Sequence, residues 1–162
     1  MKIKIDRTTP VLTQMAAVIE MPMPPYTIGK QDRRSLRLAE IDTNQIYLSL
    51  YLGIDGKCDG RDRMRYLKLN DPHRPKGERL IRLDAAVAIA VVKNGHRLPL
   101  TWGKEENRWV AESMYFDGTE LKDGHGNLWV LRVYRNLEDN LWSCGIEFLA
   151  LDSESPTAVI KY

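Results

Sequence analysis

Three aspartates lie close together in the stretch DGKCDGRD, which covers residues 55–62. Clustered carboxylates can bind a divalent cation, and calcium loops of the helix–loop–helix kind need oxygen ligands at alternate positions and a glutamate at the twelfth. Asp55, Asp59 and Asp62 do not have this spacing, and the twelfth position from Asp55 is Tyr66. Because Asp-Gly pairs are typical of tight turns between strands, we predict a turn here instead of a metal site.

A second acidic group raises the same question at Asp117, Glu120 and Asp123. Two of these residues are again followed by glycine, so we interpret them as turn residues as well. No CxxC pair and no Cys/His cluster is present, which argues against a structural zinc site. We therefore predict neither a metal nor a cofactor.

The other residues with catalytic potential are three histidines and two cysteines. They are His73, His96, His125, Cys58 and Cys144. Each histidine lies beside Gly, Pro or Arg in or near a predicted loop, and none adjoins a nucleophile in the sequence. No Walker-type loop, GxGxxG or HExxH motif occurs. We therefore predict no active site, and a small enzyme with a His/Asp site remains an alternative hypothesis.

Basic residues are concentrated in two segments. Arg33, Arg34 and Arg37 form the tightest cluster, which could clamp a phosphate because paired guanidinium groups bind its oxygens bidentately. Residues 57–82 carry nine Lys/Arg against four Asp/Glu. The residues there that we expect to bind a partner are Arg61, Arg63, Arg65, Tyr66 and Lys68. Cations beside an aromatic ring are typical of nucleic-acid grooves, although a sequence pI near 8.5 is only mildly basic.

The charge is unevenly distributed along the chain. Residues 1–82 carry 16 Lys/Arg against 10 Asp/Glu, a net of +6, and residues 83–162 carry 8 against 12, a net of −4. Such asymmetry favours an anionic partner, or else the two halves neutralise each other after folding.

The arginine cluster also supports a family resemblance. Together with a β-rich body and the ending CGIEFLALDSESPTAVIKY, it resembles PilZ domains, small β-barrels that bind cyclic di-GMP through an arginine-rich segment and a D/N-x-S-x-x-G motif. The resemblance implies a ligand clamp of Arg33, Arg34 and Arg37 and a last strand followed by a tail helix. The chain departs from the pattern because it has no D/N-x-S-x-x-G, and its arginine spacing is one residue shorter than RRxxxR.

Short β-favouring runs separated by turn residues dominate the rest of the chain. The predicted strands are Lys2–Ile5, Ile46–Leu52, Arg65–Leu69, Val87–Val92, Leu98–Trp102, Arg108–Phe116, Leu128–Tyr134 and Leu141–Leu149. The predicted turns are Asn94-Gly95, Asp117-Gly118, Asp123-Gly124 and residues 138–140. A hydroxyl cap and a proline at Thr8-Thr9-Pro10 predict a helix that ends by Met21-Pro22, and residues 78–86 are a candidate for a second helical turn.

This pattern predicts a mainly β single domain over residues 1–162, a β-barrel or β-sandwich of antiparallel strands with an N-terminal helix and room for a second short helix. Residues 1–26 would be an N-terminal appendage of strand, helix and connector, and residues 27–162 the β-rich body. Residues 51–69 and 115–133 align at a shift of 64 residues. A duplicated hairpin and independent use of similar turn residues both account for that match.

Composition limits the functional classes. Hydrophobic content of 43% and charged content of 28% are ordinary for a globular protein. Two cysteines, no signal-like segment and no membrane-length apolar run lead us to expect a cytoplasmic protein with no membrane partner.

We predict a non-catalytic binding protein that recognises another macromolecule, a protein before a nucleic acid, through its basic surface. The alternative is a β-barrel that binds a nucleotide or nucleic acid. The oligomeric state stays open. Compact domains of this kind are common among phage and mobile-element products, so we expect an accessory, inhibitory or virion role.

Overall fold

The computed structural model describes residues 1–19, 24–49, 58–62, 80–95, 113–136, 141–150, 152–153 and 157–161. The strands are β1 (Lys2–Lys4), β2 (Thr27–Gln31), β3 (Glu40–Asp42), β4 (Ile46–Ser49), β5 (Cys58–Asp59), β6 (Leu80–Arg82), β7 (Ser113–Lys122), β8 (Leu128–Arg135), β9 (Trp142–Phe148), β10 (Asp152–Ser153) and β11 (Thr157–Lys161). The helices are α1 (Val11–Ala16), α2 (described at residues 60–62) and α3 (Ala85–Lys93), with 3-10 turns η1 (Ser35–Arg37) and η2 (Thr43–Gln45).

A seven-stranded sheet forms the body of the described structure. Its path runs β4-β11-β7-β8-β9, with β2 also beside β7 and β6 also beside β11. β11 runs parallel to β7, and the other pairings in this sheet are antiparallel. β1 pairs with β3, and β5 with β10, in two small sheets. The mainly β class is confirmed, but the sheet is mixed and the described strands do not close into a barrel.

A wide bulge interrupts β7 near its middle. Between Phe116 and Leu121 the strand advances five residues, whereas the paired positions on β8 are two residues apart. The extra residues include Asp117 and Gly118, so the turn predicted there is wrong. An Asp-Gly pair suits a turn and a bulge equally well, because both need a residue that tolerates close backbone contact.

Gly118 connects the bulge to two other segments. Its amide donates a hydrogen bond to the carbonyl of Leu83 (3.0 Å), and its carbonyl accepts one from the amide of Asp32 (2.8 Å). A Cβ atom at residue 118 would lie 2.3 Å from the carbonyl oxygen of Arg82. Glycine is therefore required for the end of β6 and the end of β2 to meet β7 at one point.

Helix α3 packs between the sheet and the N-terminal segment, with every residue from Ala85 to Val91 buried. The strand predicted over Val87–Val92 is wrong, because a uniformly apolar run has neither helical nor strand period. Asp84 caps this helix, since its carboxylate accepts hydrogen bonds from the amides of Ala86 and Val87. Interspersed alanines add helix propensity.

The N-terminal segment contributes to the main apolar core. Its buried side chains in that core are Ile3, Ile5 and Met15. Helix α1 begins after Pro10, as predicted, but a threonine hydroxyl does not cap it. Instead, the carboxylate of Asp6 accepts hydrogen bonds from the amides of Thr8 (2.8 Å) and Thr9 (3.1 Å) and holds the turn that leads into the helix.

The remaining predictions divide clearly. Strands are confirmed at β1, β4, β8 and β9, and part of Arg108–Phe116 is confirmed in β7. The predicted strands Arg65–Leu69 and Leu98–Trp102 lie outside the described residues. Asn94 caps the C-terminus of α3, so the hairpin predicted at Asn94-Gly95 is wrong. Of the candidate second helical turn at residues 78–86, Leu80–Arg82 form β6 and residues 85–86 begin α3. None of the helices in the described ranges combines the length and apolarity that a membrane crossing needs.

Candidate binding surface

The predicted binding residues fall into two groups in the structure. Arg33, Arg34 and Arg37 lie in and just before η1, which follows β2, and Arg61 lies in α2. Arg33, Arg37 and Arg61 are exposed, and Arg34 is partly buried. The others lie outside the described residues; they are Arg63, Arg65, Tyr66 and Lys68. No hydrogen bond or ion pair within the described ranges connects Arg61 with η1, so we build the site on residues 30–37.

Arg34 points its guanidinium group back into the protein. Its Nε and Nη2 atoms donate to the two carboxylate oxygens of Asp32 (3.0 and 2.8 Å), and Nη2 also donates to the carbonyl of Leu80 (2.9 Å). Asp32 is only 7% exposed and also accepts from the amide of Arg82. Burial would raise the pKa of Asp32, but the hydrogen bonds from Arg34 outweigh it and keep that pKa below its ordinary value.

Ser35 anchors the turn from the other side. It is fully buried, and its hydroxyl donates to the carboxylate of Asp84 while accepting from the Asp84 amide (3.0 Å). Arg7 completes this anchor, because its two Nη atoms bind both oxygens of Asp84 at 2.9 Å. Arg7 also donates to the carbonyls of Ser35 (2.8 Å) and Leu38 (2.9 Å), so one guanidinium group spans the whole turn.

The outward side of the turn is basic. Arg33 and Arg37 are exposed, and between them Leu36 keeps 37% of its surface accessible. Neither arginine forms an ion pair with any residue in the described ranges. Asp32 is the one acid in residues 24–39, and it is buried. The exposed charge of this segment is therefore entirely positive.

A bulge in β2 adds a third cation to this surface. Ile28 pairs with Leu121 and Gln31 with Thr119, so β2 contains one extra residue. Two consecutive residues in the bulge, Gly29 and Lys30, are both exposed. We call Lys30, Arg33, Leu36 and Arg37 the docking turn.

The acidic stretch at residues 55–62 is described only in part. Gly60 donates from its amide to the carbonyl of Leu149 (2.8 Å) at the junction between β5 and α2. At Asp59-Gly60 strand β5 leads into α2, so this part of the stretch is not a strand-to-strand turn, and residues 55–57 of the predicted turn lie outside the described ranges. Asp55 lies outside the described ranges. Within those ranges no group of three or more His, Cys, Asp or Glu side chains is arranged to hold a metal ion.

Asp123 is a turn residue, as predicted. One carboxylate oxygen accepts hydrogen bonds from the backbone amides of His125 and Asn127 (both 2.9 Å). The other accepts from the side-chain amide of Asn127 and from the indole N–H of Trp129 (both 3.0 Å). Gly126 follows with a φ of 84°, which favours glycine. Four donors use the acceptor capacity of the carboxylate, so it stabilises the β7–β8 connection.

The candidate nucleophiles and bases are not gathered in one place within the described ranges. Cys144 is buried in β9, and burial raises the pKa of its thiol to about 11, so it stays neutral and unreactive. His125 lies on the exposed β7–β8 connection. His73 and His96 lie outside the described residues.

The residues that hold the docking turn were not predicted from the sequence. Asp84 directly precedes an apolar run, which is an N-cap signature that could have identified it. The carboxylate of Asp32 accepts a hydrogen bond from the backbone amide of Arg34 (3.1 Å), and this two-residue spacing is typical of an Asx turn. No local signal indicates Arg7, which is 77 residues from Asp84.

Comparison with known protein families, with curated proteins and with solved structures finds no match to this chain. Two features also differ from what the PilZ resemblance implies. Residues 157–161 form strand β11 and not a tail helix, so that expectation is wrong. Arg34, one of the three implied clamp residues, binds Asp32 and Leu80 inside the protein.

Proposed function

We propose that this protein is a non-catalytic binding module that recognises an acidic surface of another protein through the docking turn. The observation that carries the proposal is that residues 32–37 divide into side chains anchored to the protein and side chains exposed to solvent. Asp32, Arg34 and Ser35 are held by buried or partly buried hydrogen bonds, while Arg33 and Arg37 face solvent without an ion-pair partner in the described ranges.

The anchoring favours binding on entropic grounds. A partner that docks on a flexible loop must order the loop, and each immobilised long side chain adds a further cost of about 0.5–1.5 kcal/mol. Here the backbone of η1 is already held from two sides, so a partner would restrict only exposed side chains. Arginine is also enriched among the residues that dominate protein–protein affinity.

A protein partner fits this surface better than a nucleic acid does. Leu36 provides an aliphatic contact between the two arginines, whereas single-stranded nucleic acids are bound by aromatic rings on which the bases stack. Tyr134 is the one large aromatic side chain that is prominently exposed in the described ranges, and it lies in β8. A phosphate clamp of three arginines would have to use Arg34, whose Nε and Nη2 atoms are already engaged by Asp32 and Leu80.

The test is affinity capture from a lysate of the organism that encodes the protein, with and without nuclease, read by mass spectrometry. We expect the wild type to retain a nuclease-resistant protein, and Arg33→Ala/Arg37→Ala to retain at least about tenfold less of it. Lys4→Ala/Lys93→Ala is the matched control, because it removes the same charge from exposed lysines elsewhere. Circular dichroism verifies that each variant is folded.

Two outcomes would contradict the proposal. If Arg33→Ala/Arg37→Ala retains the partner as well as the control does, the docking turn is not the contact. If nuclease removes the captured material, the bound species is a nucleic acid and the alternative hypothesis gains support.

A further inference from the structure

The docking turn has a defined spacing of charges. The amide of Leu36 donates to the carbonyl of Asp32 (3.3 Å) and that of Arg37 to the carbonyl of Arg34 (3.2 Å), so the segment is one tight helical turn. The first of these bonds spans four residues, as in an α-helix, and residues three or four apart on such a turn are neighbours, which places Leu36 and Arg37 beside Arg33. Arg33 and Arg37 therefore have Cβ atoms about 5–6 Å apart.

This spacing matches two carboxylates on one short segment. Acidic residues three or four apart on a helix have Cβ atoms about 5–6 Å apart. This is the same separation as that between Arg33 and Arg37, and each guanidinium group can bind one carboxylate through two parallel hydrogen bonds.

Leu36 adds an apolar requirement. It is one of only three large apolar side chains that are prominently exposed in the described ranges. A partner that covers Leu36 also removes water from the neighbouring ion pairs, which strengthens them. On a helical partner segment with acids four residues apart, an apolar side chain three residues after the first acid lies on the same face and would meet Leu36 directly.

From these features we infer that the docking turn recognises a short segment of its protein partner in which two carboxylates flank one apolar side chain. This inference rests on the proposed function and specifies the chemistry of the partner. Lys30, exposed in the β2 bulge three residues before Arg33, adds positive charge to the same segment.

The experiment is a selection of random twelve-residue peptides displayed on phage against the purified full chain. We expect the enriched peptides to share acidic residues on both sides of Leu, Ile, Val, Met or Phe. One enriched peptide is then synthesised with a fluorophore, and its binding is measured by anisotropy at several salt concentrations. Affinity should fall as salt rises, because the ion pairs are exposed at their rim.

Variants distinguish the parts of the inference. Leu36→Ser should lower the affinity for the peptide about fivefold, and Arg33→Ala/Arg37→Ala should lower it at least about tenfold. Leu141→Ser is the matched control, since Leu141 is a leucine 49% exposed in another part of the molecule, and it should bind within about twofold of wild type. Lys4→Ala/Lys93→Ala should also bind normally.

The results separate the two proposals. Enriched peptides without acidic residues, no enrichment at all, or normal binding by Leu36→Ser would overturn the inference, even if the lysate experiment identifies a partner that depends on Arg33 and Arg37. If capture of the partner from the lysate does not depend on Arg33 and Arg37, the proposed function itself is overturned. Acid-flanked peptides that need Arg33, Leu36 and Arg37 support both.

Discussion

Three arginines within five residues have different roles because different groups lie beneath them. Arg34 neutralises the buried Asp32, whereas Arg33 and Arg37 face solvent. Removing Arg34 would leave a buried carboxylate without its charge partner, and such losses destabilise proteins strongly. Substitution of Arg34 therefore tests folding, and substitution of Arg33 and Arg37 tests binding.

For the Asp123 carboxyl we predict a pKa of about 2 in the folded protein. Burial would raise this pKa from its ordinary value near 3.8, but the hydrogen bonds from Asn127, Trp129 and the amides of the turn outweigh burial. Because the pKa is lower in the folded state, Asp123 contributes stability above about pH 4 and loses that contribution as pH falls through about 2.

An NMR titration of the Trp129 indole N–H resonance measures this pKa, because the indole donates directly to the Asp123 carboxylate. Asp123→Asn is the control, since it keeps an acceptor in the turn but removes the titrating group, and its indole resonance should not move over this range. A wild-type midpoint near the ordinary aspartate value would contradict the prediction.

At the scale of elements, burial on all sides hides the period by which a sequence reveals its secondary structure. Helix α3 is apolar on every face, so Val87–Val92 has the composition of a buried strand. Strand β7 is buried along nearly its whole length and carries polar residues inside its bulge, so it resembles two strands separated by a turn. Both wrong predictions concern elements that are buried between neighbouring elements of the fold.

We predict that Gly118→Ala destabilises the protein by about 3 kcal/mol, at the upper end of the cost of overpacking. The new Cβ would lie 2.3 Å from the carbonyl oxygen of Arg82 and 2.6 Å from the carbonyl carbon of Leu83. Both atoms belong to backbone that is held by the sheet and cannot move cheaply. Urea unfolding followed by tryptophan fluorescence measures the change.

Gly124→Ala is the matched control for this measurement. A Cβ at residue 124 meets no atom within 4 Å, so its free energy of unfolding should stay within about 0.5 kcal/mol of wild type. Equal unfolding midpoints for the two alanine variants would show that the bulge has more room than its geometry indicates.

For the whole molecule, β11 is the strand that connects the sheet. It pairs with β4 and β6 along its length and with β7 at its first residue, although it follows all of them in the chain. Ala158 and Ile160 enter the main core from this strand. Segments more than one hundred residues apart in sequence therefore depend on residues 157–161 for their pairing.

We predict that a chain ending at residue 156 does not fold cooperatively, because β4 and β6 lose the strand that holds them to β7. A chain ending at Lys161 is the control, since it keeps all of β11 and should unfold like the full chain. Amide chemical-shift dispersion and a urea transition distinguish the two. A cooperative transition in the shorter chain would contradict the central role of β11.

The sequence by itself determined the mainly β class, strands such as β8 and β9, the helix that begins after Pro10 and the turn at Asp123. These features depend on alternation or on turn chemistry within a few neighbouring residues, which a single sequence displays directly. It also located the arginine cluster, because charge is a property of composition.

Only the tertiary structure decided that residues 85–93 form a helix, that Asp117-Gly118 is a bulge, and which arginines of the cluster face solvent. Each outcome depends on partners distant in the chain, such as Arg7 for Asp84 and Leu80 for Arg34. A buried polar group lies where a partner satisfies its hydrogen bonds. When many residues separate the group from that partner, residue type and spacing do not indicate which residue the partner is.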